Sequence, residues 1–178
     1  MDFSSPYQQG DMMKHILTAL VLAIVAFGVN IHAEDTNADI SSQVKEMVNK
    51  EVDCLAKNIY YEAASESYEG KLAVAQVTIN RTNDVRYPKT ICGVVYQRTS
   101  YSGKITCQFT WTCEKFYPVR SKYNWEESVM IARRALTESI LHDRIASSNA
   151  LHYHAVYVDP KWSKGKIIMK IGNHIFYV

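Results

Sequence analysis

The chain has 178 residues, 47% of them hydrophobic, with 20 Lys and Arg against 18 Asp and Glu. That length closes one hydrophobic core and not two. The near balance of charge is no nucleic-acid footprint, which needs a strong basic excess gathered on one face, and there is no internal repeat or low-complexity stretch.

In chain order, the first signal is an uncharged stretch of 14 residues, Ile16 to Val29, preceded by Lys14 and closed by Ile31-His32-Ala33. A full membrane span needs about 20 apolar residues, so the length suits the hydrophobic region of an export signal. Residues 1–33 are therefore expected to be a signal peptide with a short leader, cleaved after Ala33; an uncleaved anchor is the alternative. Asp2 and Asp11 put negative charge where such signals carry positive, and Met12 or Met13 is an alternative start. Removal of this segment leaves 145 residues with 19 basic and 16 acidic side chains. That mild excess suits anionic envelope polymers and an ordinary solvated surface equally. Residues 34–42 are short and polar and read as a linker, and 43–178 as the domain proper. The expected location is periplasmic or extracellular, with membrane contact only through the signal.

Asp39 or Ser41 can cap a helix running to about Ala64. On it Val44, Val48, Val52, Leu55, Ile59 and Glu62 follow at steps of three or four and share one face. Glu62 thus places an ionisable carboxyl on an apolar stripe, where loss of hydration would let it keep its proton as a general acid must. The competing reading has Glu62 at the helix end, pointing to water. Glu66 lies four residues on and would stand beside Glu62 on a continuing helix, raising its proton affinity; Ser65 and Gly70 argue that the helix stops first. Gly70 opens the next element, Lys71 to Arg81, whose apolar positions fit a buried helix or a strand. Pro88 breaks the chain before a short helix near Thr90 to Gln97. Residues 98–123 lack lasting periodicity and read as a long binding loop. Asn124 with Glu126 and Glu127 marks a helix start, with Val129, Ala132, Leu136 and Ile140 as its core stripe. Beyond it the period changes to two. Leu151, Tyr153, Ala155 and Tyr157 alternate with His152, His154 and Val156, so Tyr153 and His154 face opposite ways. Ile167, Met169 and Ile171 form a second strand, and Gly172-Asn173 suits a type II′ turn into His174 to Val178. The expected class is α+β, mainly helical with a small antiparallel sheet.

Cys54, Cys92, Cys107 and Cys113 all lie in the domain, and an even count in an exported chain favours two disulfides. Three pairings are possible; Cys107–Cys113, closing the loop that holds Gln108, Phe109 and Trp111, is the preferred one. A zinc site built from Cys107, Cys113 and His152 or His154 matches no common spacing.

The ordered residues Cys54-Leu55-Ala56, Ile59-Tyr60-Tyr61-Glu62-Ala63, Glu66, Gly70, Ala73-Val74-Ala75 and Asn80-Arg81 resemble the signature of the SleB-type cell-wall hydrolases. The likeness continues through Tyr87 to Gln97, Cys107-Gln108-Phe109-Thr110-Trp111, His152-Tyr153-His154-Ala155, Pro160, Trp162 and Ile171 to Tyr177, and so covers nearly everything from Cys54 onward. The family's usual Glu-Ala-Arg-Gly-Glu reads Glu-Ala-Ala-Ser-Glu here, keeping both carboxylates and losing the arginine and glycine. The resemblance implies a lysozyme-like architecture with its acid at the end of a core helix, and favours helix for Lys71 to Arg81.

It further implies a lytic transglycosylase acting on the glycan strands of peptidoglycan. Glu62 would protonate the oxygen between N-acetylmuramic acid and N-acetylglucosamine, then take the proton of the muramic C6 hydroxyl, leaving a 1,6-anhydro end. Neither a metal nor an organic cofactor is required, and a monomer is expected. Glu66 is the candidate second carboxylate, through which hydrolysis stays open. Sugar recognition falls to Tyr61, Gln108, Phe109, Trp111 and His154, which combine aromatic faces with amide and imidazole hydrogen bonding; core packing is the competing role for Phe109 and Trp111. Two other functions remain. One is an amidase acting on peptide stems with Cys54 as nucleophile and His152 or His154 as base. The other is a wall-binding domain without catalysis.

Overall fold

A computed structural model describes residues 33–114, 118–140, 149–163 and 165–178. The expected export signal lies outside them except for Ala33. Helix α1 runs Ala33–Ala63, α2 Tyr68–Asn83, α3 Ile91–Val95 and α4 Lys122–Ile140. Strands β1 Arg98–Tyr101 and β2 Lys104–Cys107 form one sheet. Strands β3 His152–Ala155, β4 Ile167–Ile171 and β5 His174–Tyr177 form another, in the order β3-β5-β4 and antiparallel throughout.

The chain divides into residues 1–46 and a compact unit, Met47–Val178. In the first, the described residues are helical, so the expected linker at 34–42 is part of α1, and Asp39 is an interior helical residue whose carboxylate accepts from Gln43 Nε2 at 2.8 Å. The apolar face expected from Val44 onward is buried only from Val52. Val44 and Val48 are each 51% exposed, whereas Leu55 and Ile59 are fully enclosed.

Helix α2 is the centre of the compact unit. Every residue from Gly70 to Ile79 is buried, which explains why no single apolar stripe could be read from its sequence. Ser67 caps its start, its side chain accepting from Gly70 N at 3.3 Å. Several polar groups that burial traps on α2 find partners. Asn58 Nδ2 of α1 donates to Thr78 Oγ1 at 3.0 Å, and Lys71 Nζ meets Glu127 Oε2 of α4 at 2.5 Å. Without such partners each would cost a few kcal/mol. Leu55, Ile59, Leu72, Ile79, Val95, Phe109 and Ile131 join α1, α2, α3 and α4 in one core, while Val74, Val77 and Phe176 seat the three-stranded sheet on α2.

Helix α4 begins two residues before the expected Asn124, because Ser121 is the capping side chain and accepts from Asn124 N at 3.2 Å. Of its expected stripe, Ala132 is fully buried and Val129 and Leu136 pack against the core. The described residues of the region expected to be one long loop hold the β1–β2 hairpin and a 3₁₀ turn, Thr110–Thr112. Ser102 and Gly103 both take positive φ, as the two central residues of a type I′ turn must. Gly172 takes positive φ at the β4–β5 turn and Asn173 does not, in keeping with the type II′ geometry expected there. Cys54 is bonded to Cys92, joining α1 to α3, and Cys107 to Cys113 across the 3₁₀ segment.

Candidate active site

Helix α1 ends at Ala63 where the chain turns, Glu66 N donating to Ala63 O at 3.0 Å. Glu62 is therefore in the last turn, its side chain entering a cavity of about 280 Å³ walled by Arg81, Gln108, Phe109, Thr110, His152, Tyr153 and Trp162. Burial holds its carboxyl above the usual range. A hydrogen bond from Tyr153 and the charge of Arg81 act in the opposite sense and do not cancel it. The negative end of the helix dipole also disfavours negative charge there.

Tyr153 Oη donates to Glu62 Oε2 at 3.1 Å, and burial keeps its phenol protonated far above neutral pH. Its strand is anchored at its N-terminal end. Leu151 N donates to Tyr177 O at 2.8 Å, and Arg81 Nε to Leu151 O at 2.8 Å. The Arg81 guanidinium lies over Tyr87 and Phe109, 5.3 and 5.5 Å from the ring centroids. Asn80 Nδ2, one residue before it, holds Ala150 O at 2.9 Å.

The expected site residues separate into two groups. Glu62, Gln108 and Phe109 meet at the cavity, with Phe109 only 4% exposed and so part of the core as well as the wall. Tyr61 and Trp111 are not among the residues lining it; they stack on each other at 4.7 Å, with Tyr96 edge-on to Trp111 at 5.9 Å. Glu66 is engaged elsewhere. Its two oxygens accept from Asn173 N and Asn173 Nδ2, each at 3.0 Å, in the β4–β5 turn. Burial alone would raise its pKa, but those two bonds, together with His174 and Lys71 nearby, outweigh it and hold the carboxyl below the usual range. The strand alternation separates Tyr153 from His154 as expected, and Tyr153 is the one on the Glu62 side. His154 is occupied by the Tyr177 hydroxyl at Nε2, 2.7 Å away, and by Ala155 O at Nδ1, 2.9 Å away.

Four cavity residues, Arg81, Thr110, Tyr153 and Trp162, had no expected role at the site. For Tyr153 a signal was present in the period-two pattern, by which only one of it and His154 can readily enter the cleft; the expectation was His154, and the residue on Glu62 is Tyr153. Cys54 cannot act as a thiol nucleophile, because it is spent in the bond to Cys92, and Cys107 and Cys113, bonded to each other, cannot ligate zinc.

Residues 65–177 match the family model described as Cell Wall Hydrolase, a match that begins just after Glu62. A spore cortex-lytic enzyme of Oceanobacillus iheyensis is 29% identical over 147 residues, covering 80% of this chain and 47% of that protein. One of Bacillus subtilis is 28% identical over 130 residues, covering 72% and 37%. The chain thus spans less than half the length of these relatives. Among solved structures, the catalytic domain of the Bacillus cereus SleB protein superposes with a TM-score of 0.54 at 24% identity, over 73% of this chain and 91% of that one. The catalytic domain of the germination-specific lytic transglycosylase SleB from Bacillus anthracis gives 0.53 at 24%, over 72% and 93%. At that identity the two structures speak to the fold, and they agree with an α+β, mainly helical domain.

Proposed function

The chain belongs to the cell wall hydrolase family, and on that footing we propose that it is an exported lytic transglycosylase that cuts peptidoglycan glycan strands with Glu62 as acid and then base. The observation that carries this reading is the setting of Glu62, a carboxyl whose proton burial holds more tightly than usual, inside a cavity, with one oxygen fixed by Tyr153.

The glycosidic oxygen takes the Glu62 proton as its bond to the muramic C1 breaks, and positive charge develops at that carbon. The carboxylate left behind is stabilised by the Tyr153 hydroxyl and by Arg81, and then removes the proton of the muramic C6 hydroxyl while its oxygen closes on C1. Glu62 ends protonated, one bond has been exchanged for another, and no water is consumed. Opposing influences suit a group that must both give and take a proton: burial favours the acid, and Tyr153 and Arg81 favour the base.

Among the described residues lining the cavity Glu62 is the one carboxylate. A hydrolase of the retaining type places its second carboxyl about 5–5.5 Å away. Glu66, committed to Asn173, is not offered to the cavity, which favours the intramolecular route over hydrolysis. The N-terminal apolar segment supports export, with cleavage after Ala33.

The test is digestion of purified sacculi followed by mass spectrometry. Anhydro-muramic ends from the native enzyme, and none from Glu62→Gln, are expected. Reducing muramic ends would replace this scheme with hydrolysis, and undiminished cleavage by Glu62→Gln would remove Glu62 from it.

A further inference from the structure

The cavity has three aromatic side chains in its wall, and they are not equivalent. Phe109 is 4% exposed, with Arg81 over its ring. Tyr153 is packed between the His174 and Phe176 rings with its hydroxyl on Glu62. Trp162 is 52% exposed. A large indole left half in solvent at the rim of a site costs apolar hydration unless something covers it in use.

Trp162 is also flanked by three rings. It contacts His152 and His154, each with ring centroids 5.6 Å away, and Tyr177 at 5.7 Å. The turn that carries it is closed by Ser163 N and Ser163 Oγ, donating to Pro160 O at 2.9 and 2.7 Å. His152 shares the cavity wall, and burial, reinforced by the charges of Arg81 and Arg86, depresses its pKa. A half-exposed indole beside an imidazole is suited to a ring with an apolar face and a polar edge, which describes a pyranose. A cavity of about 280 Å³ lies near the lower end for small-molecule sites and has room for one such ring rather than two.

Resting on the glycan reading above, we propose that Trp162 is the saccharide platform of this site, stacking on the CH face of the N-acetylhexosamine ring next to the bond that Glu62 protonates, with His152 hydrogen-bonding that ring's polar edge. The platform acts in binding, so it is tested without turnover. In full-length protein carrying Glu62→Gln, intrinsic fluorescence and calorimetry follow titration with a stem-free tetrasaccharide of alternating N-acetylglucosamine and N-acetylmuramic acid. A saturable change in emission is expected, lost when Trp162→Phe is added although Trp111 and Trp125 remain. Trp162→Ala weakens the calorimetric Kd about tenfold, and Trp162→Phe restores it to within about threefold of the parent.

If Trp162 only packs the sheet, Trp162→Ala lowers the melting temperature and leaves Kd within twofold, and that result overturns the platform. So does an absence of saturable binding in the parent. Sacculus cleavage by the native enzyme is scored separately. Cleavage with an unchanged Kd for Trp162→Ala defeats the platform alone, whereas an altered Kd with cleavage surviving Glu62→Gln defeats the acid assignment and leaves the platform standing.

Discussion

Two glutamates four residues apart are driven in opposite directions by their surroundings, and opposite pH behaviour follows. Burial raises the Glu62 pKa, so the folded protein holds that proton more tightly than the unfolded chain does. The associated stability is complete below the ordinary carboxylate range and is lost as pH rises through the raised value. Glu62→Gln has no such proton to lose. Its melting temperature relative to wild type is therefore expected to improve from acid to neutral pH, with the difference at neutrality within about 1 kcal/mol because the swap is nearly isosteric. Activity of the native enzyme should fall over the same interval as the acid form disappears; a profile flat through it would exclude Glu62 as the proton donor. Glu66 has the reverse sign. Its lowered pKa means that its contribution is present above the ordinary carboxylate range and is lost as pH falls through the depressed value. Removing it in Glu66→Ala strands Asn173 in a turn and is expected to cost about 2–4 kcal/mol in urea melts. Provided the variant is assayed where it is still folded, it should retain cleavage, whereas a second catalytic carboxylate would not permit that.

At the scale of elements, two glycines with positive φ separate local strain from packing. Gly103 ends the turn of an exposed hairpin, and a Cβ there would meet nothing, so Gly103→Ala is expected to cost only the left-handed penalty of about 1–2 kcal/mol. Gly172 carries the same backbone demand, and its Cβ would in addition collide with the Glu66 carboxylate. Gly172→Ala should therefore lose clearly more stability than Gly103→Ala, and equal losses would show that Glu66 does not grip the turn. These two turns also mark what the sequence could express. The β4–β5 turn was legible because Gly172-Asn173 sits between alternating strands, one of which buries His174 and Phe176. The β1–β2 hairpin was not, because its residues from Arg98 to Thr106 are all exposed and carry no alternation, leaving Ser102-Gly103 as its sole trace. Helix α2 was ambiguous for the opposite reason, being enclosed on every side. Glu62 was legible through its step from Ile59, but the same arithmetic overextended the buried face back to Val44. Spacing reports which residues share a face and is silent on whether anything covers it.

For the molecule as a whole, the question is what ties the acid-bearing helix to the rest. Packing of Leu55 and Ile59 against α2 is one tie. The other joins α1 to α3, where Cys54 is bonded to Cys92 and Glu51 Oε2 accepts from Ile91 N at 2.5 Å and Cys92 N at 3.3 Å, satisfying donors at the start of a five-residue helix. Thr90 caps the same end, accepting from Gly93 N at 3.0 Å. The two disulfides constrain the unfolded chain unequally. Cys54 and Cys92 are 38 residues apart and Cys107 and Cys113 only 6. Loop-closure entropy assigns about 4 kcal/mol to the long loop and about 2 kcal/mol to the short one. Replacing Cys54 and Cys92 together by Ala should accordingly lower the unfolding free energy by more than replacing Cys107 and Cys113, as read from urea denaturation under oxidising conditions. The short pair instead borders Gln108 and Phe109 in the cavity wall, so its loss should register in KM for glycan more than in stability. A reversed order, with the short bond dominating stability, would mean that the 3₁₀ segment and not the α1–α3 junction holds the core together.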